Sequence, residues 1–313
     1  KIKEFSKNIF LIEENGKKTS YQDLLKFPSS KLKFLKKGSL ALIIANNSKS
    51  FFELYFYLLK KNIVQILVDS NISDHKLNNI IEAYKPNYLF IDKNKTIKTL
   101  ANLNEYKIGE YKILEISSKQ IKLNSDLALL LSTSGSTGSS KFVKLSYLNI
   151  FDNAKNISKY LEIKKSHVTV TSMPPSYSYG LSIINSHFFS GAKILVNKHS
   201  FFEKKFWANI TKFKVNSFGG VPYHYEMLKK LKFHNLKLPD LKYLTQAGGP
   251  LKVDLIKYYI ETCNKKKINF IQMYGQTEAS PRMSYLKFSQ AKKKIGSIGK
   301  EIPGGKMFLI KKK

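Results

Sequence analysis

Short apolar runs and amphipathic segments alternate along most of this chain. Runs with the length and composition of buried strands occur at residues 40–45, 63–68, 88–91, 112–116, 127–131, 168–173, 193–196, 217–218, 243–245 and 269–273. Segments that begin at helix-start signals predict helices at residues 51–60, 74–84, 146–160, 178–190, 201–213, 223–231 and 252–263. A strand and turn at residues 10–17 precede a short helix that is capped by Thr19 or Ser20. This alternation predicts an α/β fold with a parallel sheet.

The size of the chain and its single cysteine limit the class of protein. With 313 residues, 42% of them hydrophobic, it can bury a sizeable core in one large domain or two smaller ones. Cys263 has no cysteine to pair with, which fits a reducing compartment, so we expect a cytoplasmic protein. No signal-peptide pattern and no membrane-length apolar run are present. Because the chain starts without Met and stops just after a strand-like stretch at residues 307–310, we expect it to be part of a longer protein.

The formal net charge of +32 first suggests a nucleic-acid or membrane-surface binder. The charge comes from lysines spread over the whole length, and Arg282 is the only arginine. Nucleic-acid sites are expected to use arginine forks for bases and phosphates, so the composition is more typical of an AT-rich codon bias. We therefore expect no specific nucleic-acid partner, and a basic surface binder remains a secondary alternative.

A run of small hydroxylated residues and glycines follows the predicted strand 127–131. Its members are Thr133, Ser134, Gly135, Ser136, Thr137 and Gly138, and Lys141 follows shortly after them. The glycines permit close backbone approach to a ligand, the hydroxyl and backbone N–H groups can line an anion site, and the lysine supplies a point charge suited to phosphate. The spacing matches neither a Walker A motif nor G-x-G-x-x-G. The residues predict a phosphate-binding loop, and a flexible Ser/Gly linker is the alternative.

Two more candidate ligand segments follow predicted strands. Tyr274 offers a flat ring for stacking on a base, Thr277 offers a hydroxyl for a phosphate, and Glu278 offers a hard oxygen for Mg²⁺. Earlier in the chain, Ala247, Gly248 and Gly249 form a segment on which a flat ligand could lie against the backbone. Ligands of open α/β sheets gather beyond the carboxyl ends of strands. Ordinary strand-end turns are the alternative for both segments.

Together these motifs resemble those of the adenylate-forming enzymes, which include acyl-CoA synthetases, luciferases and peptide-synthetase adenylation domains. The loop is similar to T-S-G-[ST]-T-G-x-P-K-G, with Ser140 in place of the usual proline and Phe142 in place of the usual glycine. Residues 274–278 match Y-G-x-T-E without substitution. The resemblance implies the large N-terminal domain of that fold at residues 1–295, with two mostly parallel sheets flanked by helices. It also implies the start of a small β subdomain at residues 296–313, and a C-terminal lid domain beyond this chain.

The resemblance also implies an activity. Family members use ATP to convert a carboxylic acid into an acyl-adenylate with release of pyrophosphate, and then transfer the acyl group to the thiol of CoA or of carrier-protein phosphopantetheine. It implies catalytic roles for Lys141, Thr277 and Glu278, with Glu278 holding Mg²⁺. It implies nucleotide contacts for the remaining loop residues, for residues 247–249, and for Tyr274 and Gly275. A nucleotide-binding homologue without ligase activity is the alternative.

Two segments resemble the parts of the family that border the acid. Residues 172–180 are similar to L-P-x-x-H-x-x-G, and from them we predict that Tyr177, Tyr179 and Gly180 border the substrate. Tyr177 stands where histidine is usual, and core packing of both tyrosines is the alternative. Phe218 and Gly219 are similar to the lining of the acyl pocket. The stretch lacks the aspartate that holds an amino group in peptide synthetases, so an amino-acid substrate is not favoured.

Arg282 is a further candidate because it is the one arginine in a chain of lysines. It follows Glu278 by four residues, beside the predicted metal and phosphate site. A guanidinium presents a planar fork of donors that lysine lacks. We hypothesise that Arg282 binds a phosphate or a substrate carboxylate, and chance retention is the alternative.

Overall fold

The structure is a computed structural model, and it describes residues 3–27, 29–97, 103–119, 121–133 and 141–310. Strands and helices are numbered in chain order. Within these residues the strands form two sheets that mix parallel and antiparallel pairs around parallel centres. The nine strands of the larger sheet lie in the order β16 (Lys300–Glu301), β15 (Ser284–Leu286), β14 (Asn269–Tyr274), β13 (Tyr243–Gln246), β12 (Ser217–Gly220), β10 (Val168–Val170), β11 (Lys193–Val196), β1 (Ile9–Glu13) and β2 (Lys18–Ser20).

The strands of the smaller sheet all come from residues 40–146. Its seven strands lie in the order β6 (Glu105–Ile108), β7 (Tyr111–Glu115), β5 (Tyr88–Asp92), β3 (Leu40–Ala45), β4 (Val64–Asp69), β8 (Leu127–Ser132) and β9 (Phe142–Ser146). The central strand β3 is buried at every position, as expected for a strand that is covered on both faces.

The helices cover the faces of both sheets. They are α1 (Tyr21–Leu25), α2 (Lys49–Lys60), α3 (Asp74–Tyr84), α4 (Tyr147–Tyr160), α5 (Ser178–Phe189), α6 (Lys204–Lys212), α7 (Pro222–Lys230), α8 (Val253–Lys265) and α9 (Phe288–Ala291). Some of these helices begin where a serine side chain caps the first turn. The Ser146 hydroxyl accepts the Asn149 N–H at 3.1 Å and so starts α4, and Ser20 caps α1 in the same way through Asp23.

One apolar core joins the two sheets. Helices α2 and α5 lie between them, and the ring of Phe56 stacks on that of Phe188 with centroids 3.7 Å apart. The Tyr55 hydroxyl, fully buried, donates to the side-chain oxygen of Asn185 at 3.1 Å. Residues of both sheets belong to this core, so it holds the two sheets against each other.

The structure confirms most of the predicted elements, and α3 and β11 have the predicted bounds. The main omissions are strands with antiparallel partners at or next to the edges of the sheets, namely β6, β9, β15 and β16. The strand-like stretch at residues 307–310 forms no strand with the other described residues, and the side chains of Phe308, Leu309 and Ile310 are exposed. Apolar composition alone does not make a strand where no neighbouring strand is available for hydrogen bonding.

Candidate active site

A cavity of about 630 Å³ opens beyond the carboxyl ends of β13 and β14. Parallel strands β12, β13 and β14 end at this edge of the larger sheet. The predicted site residues that line it are Thr133, Tyr177, Tyr179, Ala247, Gly248, Gly249, Tyr274, Gly275, Thr277, Glu278 and Arg282. Thr133 directly follows β8, so the two sheets contribute to one cavity.

The turn after β14 presents three different side chains to this cavity. Tyr274 is 42% exposed and lines the cavity, so its side chain is accessible to a planar ligand. Thr277 is buried, and its hydroxyl lies 2.9 Å from that of Ser178 at the start of α5. Glu278 is exposed and, within the described residues, forms no ion pair. The turn therefore combines an aromatic face, a hydroxyl and a carboxylate.

The glycine segment after β13 forms a second wall because its backbone leaves room for an aromatic neighbour. Gly248 has a φ of +82°, and a β-carbon there would lie 2.5 Å from the Tyr177 hydroxyl. Gly249 has a φ of +154°, and its carbonyl accepts a hydrogen bond from the Gln246 side-chain amide at 2.8 Å. Burial raises the pKa of Tyr177, so its hydroxyl stays protonated at neutral pH.

Tyr179 is held rigidly on the inner side of the cavity. Its hydroxyl lies 2.8 Å from both the carbonyl oxygen and the hydroxyl of Thr245. Burial raises the pKa of Tyr179 well above its usual value. A β-carbon on Gly219 would lie 2.8 Å from the Tyr179 hydroxyl, so this glycine makes room for the tyrosine. Tyr179 thus closes the cavity towards β12.

Three predicted substrate contacts do not line the cavity in the described structure. The side chain of Phe218 packs into the core against Phe206 and Trp207, with ring centroids 6.4 and 6.0 Å away. Successive side chains of a strand point to opposite faces, so Gly219 lies on the cavity side of β12, but behind Tyr179. A β-carbon on Gly180 would collide with the carbonyl oxygen of Pro174, so this glycine serves close backbone packing.

Part of the predicted phosphate loop lies outside the described residues. Ser134, Gly135, Ser136, Thr137 and Gly138 belong to this part. Thr133 precedes it and lines the cavity, whereas Lys141 is exposed just before β9 and is not among the lining residues. Strand β9 contacts the short helical turn Thr277–Ala279, so the loop connects two segments that border the site.

The structure buries Arg282 in the cavity wall, with only 2% of its surface exposed. Its guanidinium carbon lies 5.0 Å from the centroid of the Tyr179 ring. Within the described residues its Nε and Nη2 atoms have no hydrogen-bond partner. Arg282 was a candidate because it is the one arginine in the sequence, but the sequence did not predict that it is buried.

Sequence reasoning missed several other lining residues. The Ser178 hydroxyl forms a hydrogen bond with the Thr277 hydroxyl. Helix α5 starts at the cavity without a side-chain cap, so the backbone N–H groups of its first turn favour an anion there. Gln272 lines the cavity with a buried side-chain oxygen that has no partner among the described residues. A polar residue inside an otherwise apolar strand was the signal that could have identified it. Gly296, Ser297 and Ile298 complete the rim.

The described residues contain no cluster of three or more side chains that could form a protein-only metal site. Glu278 is the one carboxylate among the described lining residues. This fits Mg²⁺, which proteins commonly bind through one or two carboxylates together with substrate phosphates. No described helix has the combination of length and apolarity that crossing a membrane requires.

Curated relatives share the sequence at low identity. An acyl-CoA ligase of Aspergillus fumigatus is 24% identical over 294 residues, which is 86% of this chain and 48% of the relative. A luciferin 4-monooxygenase of Photuris pensylvanica is 26% identical over 304 residues, again 86% of this chain and 54% of the relative. The chain therefore spans about half the length of these relatives.

Solved structures confirm the predicted fold class. O-succinylbenzoate coenzyme A synthetase (MenE) of Bacillus subtilis, in complex with AMP, matches with a TM-score of 0.79 at 19% identity, covering 96% of this chain and 64% of that one. The N-terminal domain of FACL13 from Mycobacterium tuberculosis matches with a TM-score of 0.79 at 16% identity, covering 96% and 81%. A sequence model described as AMP-binding enzyme matches residues 5–313. The chain belongs to the AMP-binding enzyme family.

Proposed function

We propose that this chain is the nucleotide-binding part of a ligase that activates a carboxylic acid with ATP. The acid oxygen attacks the α-phosphorus of ATP, pyrophosphate leaves, and an acyl-adenylate forms. A thiol, of CoA or of phosphopantetheine on a carrier protein, then attacks the acyl carbon and releases AMP. The curated relatives that carry the names of acyl-CoA ligases support this proposal. We also propose that the protein acts in the cytoplasm.

One observation carries the proposal. Thr133, which follows β8 of the smaller sheet, lines the same cavity as the Tyr274–Glu278 turn, which follows β14 of the larger sheet. The start of a predicted phosphate loop and a turn with an aromatic face, a hydroxyl and a carboxylate thus border one space. An aromatic face for the base, a hydroxyl for a phosphate and a carboxylate for Mg²⁺ together suit a nucleotide.

The lining residues can take distinct parts in nucleotide binding. We propose that adenine lies between the exposed Tyr274 ring and the backbone of Gly248, where a side chain would intrude. The Thr277 hydroxyl is fixed by Ser178 near the start of α5, and we place the α-phosphate there. Backbone N–H groups at a helix N-terminus stabilise negative charge. Lys141 and the glycine loop are proposed to hold the departing pyrophosphate.

Glu278 would hold Mg²⁺ together with the phosphates. When bound, Mg²⁺ would neutralise phosphate charge and stabilise the leaving pyrophosphate. The exposure of Glu278 at the cavity allows its carboxylate to meet a hydrated cation without a desolvation penalty. Among the described lining residues no other carboxylate competes for this role.

Pyrophosphate exchange in the full-length protein tests the proposed function. Radiolabelled pyrophosphate is expected to enter ATP only when a suitable acid is present, because exchange reports reversible formation of the acyl-adenylate. A screen over aliphatic, aromatic, hydroxy and amino acids would identify the acid. ATP binding without exchange for any acid would support a nucleotide-binding homologue that lacks ligase activity.

Replacing Tyr274 by alanine should weaken nucleotide binding. Loss of base stacking is worth about 1–3 kcal/mol, so the Kd for AMP is expected to rise about 5- to 150-fold. Isothermal titration calorimetry measures this directly. Tyr223, also exposed but absent from the lining of the cavity, supplies the control, and Tyr223→Ala should leave the Kd unchanged. An unaltered Kd in Tyr274→Ala would place the base elsewhere.

A further inference from the structure

Arg282 carries a buried positive charge without a counterion in the described part of the chain. Only 2% of its surface is exposed, and none of the described ion pairs involves it. Two of its guanidinium nitrogens, Nε and Nη2, lack hydrogen-bond partners among the described residues. Arginine stays charged in proteins, and an isolated buried charge is strongly unfavourable. Such an arrangement is expected where a ligand completes the pairing.

The backbone holds Arg282 in this position against a conformational preference. Its φ is +66°, in the left-handed region that residues other than glycine rarely adopt. The side-chain amide of Asn153 in α4 donates to the carbonyl oxygen of Pro281 at 2.6 Å and anchors the preceding residue. Gly275 lets the Arg282 backbone approach the end of β14 closely. These contacts fix the start of the side chain beside the cavity.

The surroundings of the guanidinium are aromatic and hydroxylated. The guanidinium lies over the ring of Tyr179. Burial raises the pKa of the Tyr160 hydroxyl, and the nearby Arg282 charge offsets part of this rise. The Tyr160 hydroxyl lies 3.0 Å from the Met273 sulfur, and its ring stacks on that of Tyr285. No carboxylate reaches this end of the cavity in the described residues. A carboxylate ligand would find a planar fork of donors here.

The position of Arg282 favours the acid over the nucleotide as the source of this anion. Tyr160, Tyr179 and Met273 pack together in one apolar cluster on the inner side of the cavity. The exposed Tyr274 and Glu278 mark the solvent-facing side of the cavity, where a triphosphate and its hydrated metal ion can be accommodated. A triphosphate carries several charges and is poorly suited to the apolar side. A single carboxylate paired with one guanidinium is well suited to it.

We propose that the acid activated at this site carries a second carboxylate, and that Arg282 binds it while the reacting carboxylate faces the α-phosphate beside Thr277. This inference rests on the proposed function. The anchored Tyr179 closes the cavity beyond Arg282 towards β12, so the acid is short. The substrate class is therefore a short dicarboxylic acid.

Matched acids test this inference in the full-length protein. Succinate is compared with butyrate and with succinamate, and glutarate with valerate, by pyrophosphate exchange in the wild type, Arg282→Met, Arg282→Gln and the control Lys300→Met. Lys300 is an exposed lysine on β16 that does not line the cavity, so its removal makes the same change in net charge. Both Arg282 variants remove an unpaired buried charge and are expected to fold at least as stably as the wild type.

The wild type and Lys300→Met should favour a dicarboxylate over its matched monoacid and monoamide by about 100-fold or more in kcat/KM. In both Arg282 variants this ratio should fall to near one, with the KM for ATP unchanged. A wild type that favours the monoacids would overturn the inference. So would Arg282 variants that raise the KM for ATP and keep the acid preference, because this result assigns the arginine to a phosphate.

A thermal-shift measurement separates this inference from the proposed function. Succinate or glutarate should raise the Tm of the wild type and of Lys300→Met, but not of the Arg282 variants. If no acid supports exchange, the ligase proposal fails, and an Arg282-dependent shift still supports the dicarboxylate site. Absence of any such shift together with absence of exchange would refute both.

Discussion

Glu278→Gln is expected to lower kcat/KM for pyrophosphate exchange by about 100-fold, because the substitution removes the carboxylate that would hold Mg²⁺ against the phosphates. Glutamine has nearly the same shape, and Glu278 is exposed, so the free energy of unfolding should change by less than about 0.5 kcal/mol. High concentrations of Mg²⁺ should recover part of the activity. Exchange kinetics over a Mg²⁺ series and a urea unfolding curve measure the two effects.

The matched control for this substitution is Glu261→Gln, at an exposed glutamate on α8 that does not line the cavity. It makes the same change in net charge and should leave exchange unaltered. Equal kinetics in Glu278→Gln, Glu261→Gln and the wild type would show that Glu278 does not hold the metal.

Gly275→Ala should lower the free energy of unfolding by about 3 kcal/mol, because the new methyl group collides with backbone rather than with a movable side chain. The Arg282 backbone nitrogen lies directly in the path of a β-carbon, the Arg282 α-carbon would lie at 2.9 Å, and the Met283 nitrogen at 3.1 Å. Relief requires the β14–β15 connection to move away, which also displaces Arg282. We therefore expect AMP binding and acid selectivity to weaken together.

Gly16→Ala is the control for Gly275→Ala, because it introduces backbone strain without a steric collision. Gly16 has a φ of +89° with open space around its α-carbon, so alanine there should cost only about 1 kcal/mol of strain. Urea unfolding of both variants provides the comparison. If Gly275→Ala loses no more stability than Gly16→Ala, the close approach of the two segments is not what holds the connection in place.

The sequence predicted the central elements of the fold better than its edges. Buried parallel strands such as β3 have continuous apolar runs, and helices such as α3 begin at a side-chain cap, so both are visible locally. The missed strands β9 and β15 pair antiparallel with a neighbour and contain polar residues. Their formation depends on a partner strand supplied by the tertiary fold, which local periodicity does not encode.

The sequence predicted those residues of the candidate site that come directly after a strand. Tyr274, Thr277, Glu278 and Gly248 line one cavity as their motif positions suggest, and their roles remain proposals. Phe218 packs into the core and does not line the cavity, because the motif does not specify which face of a short strand each residue occupies. The burial of Arg282 depends on a positive φ and on Asn153 in α4, and neither is visible in the sequence.

A crystal structure of the protein with bound AMP tests the central claim most directly, since that claim concerns which residues share one nucleotide cavity. We predict adenine against the Tyr274 ring and the Gly248 backbone, with the phosphate within hydrogen-bonding distance of the Thr277 hydroxyl. AMP bound at another surface, with this cavity empty, would contradict the account.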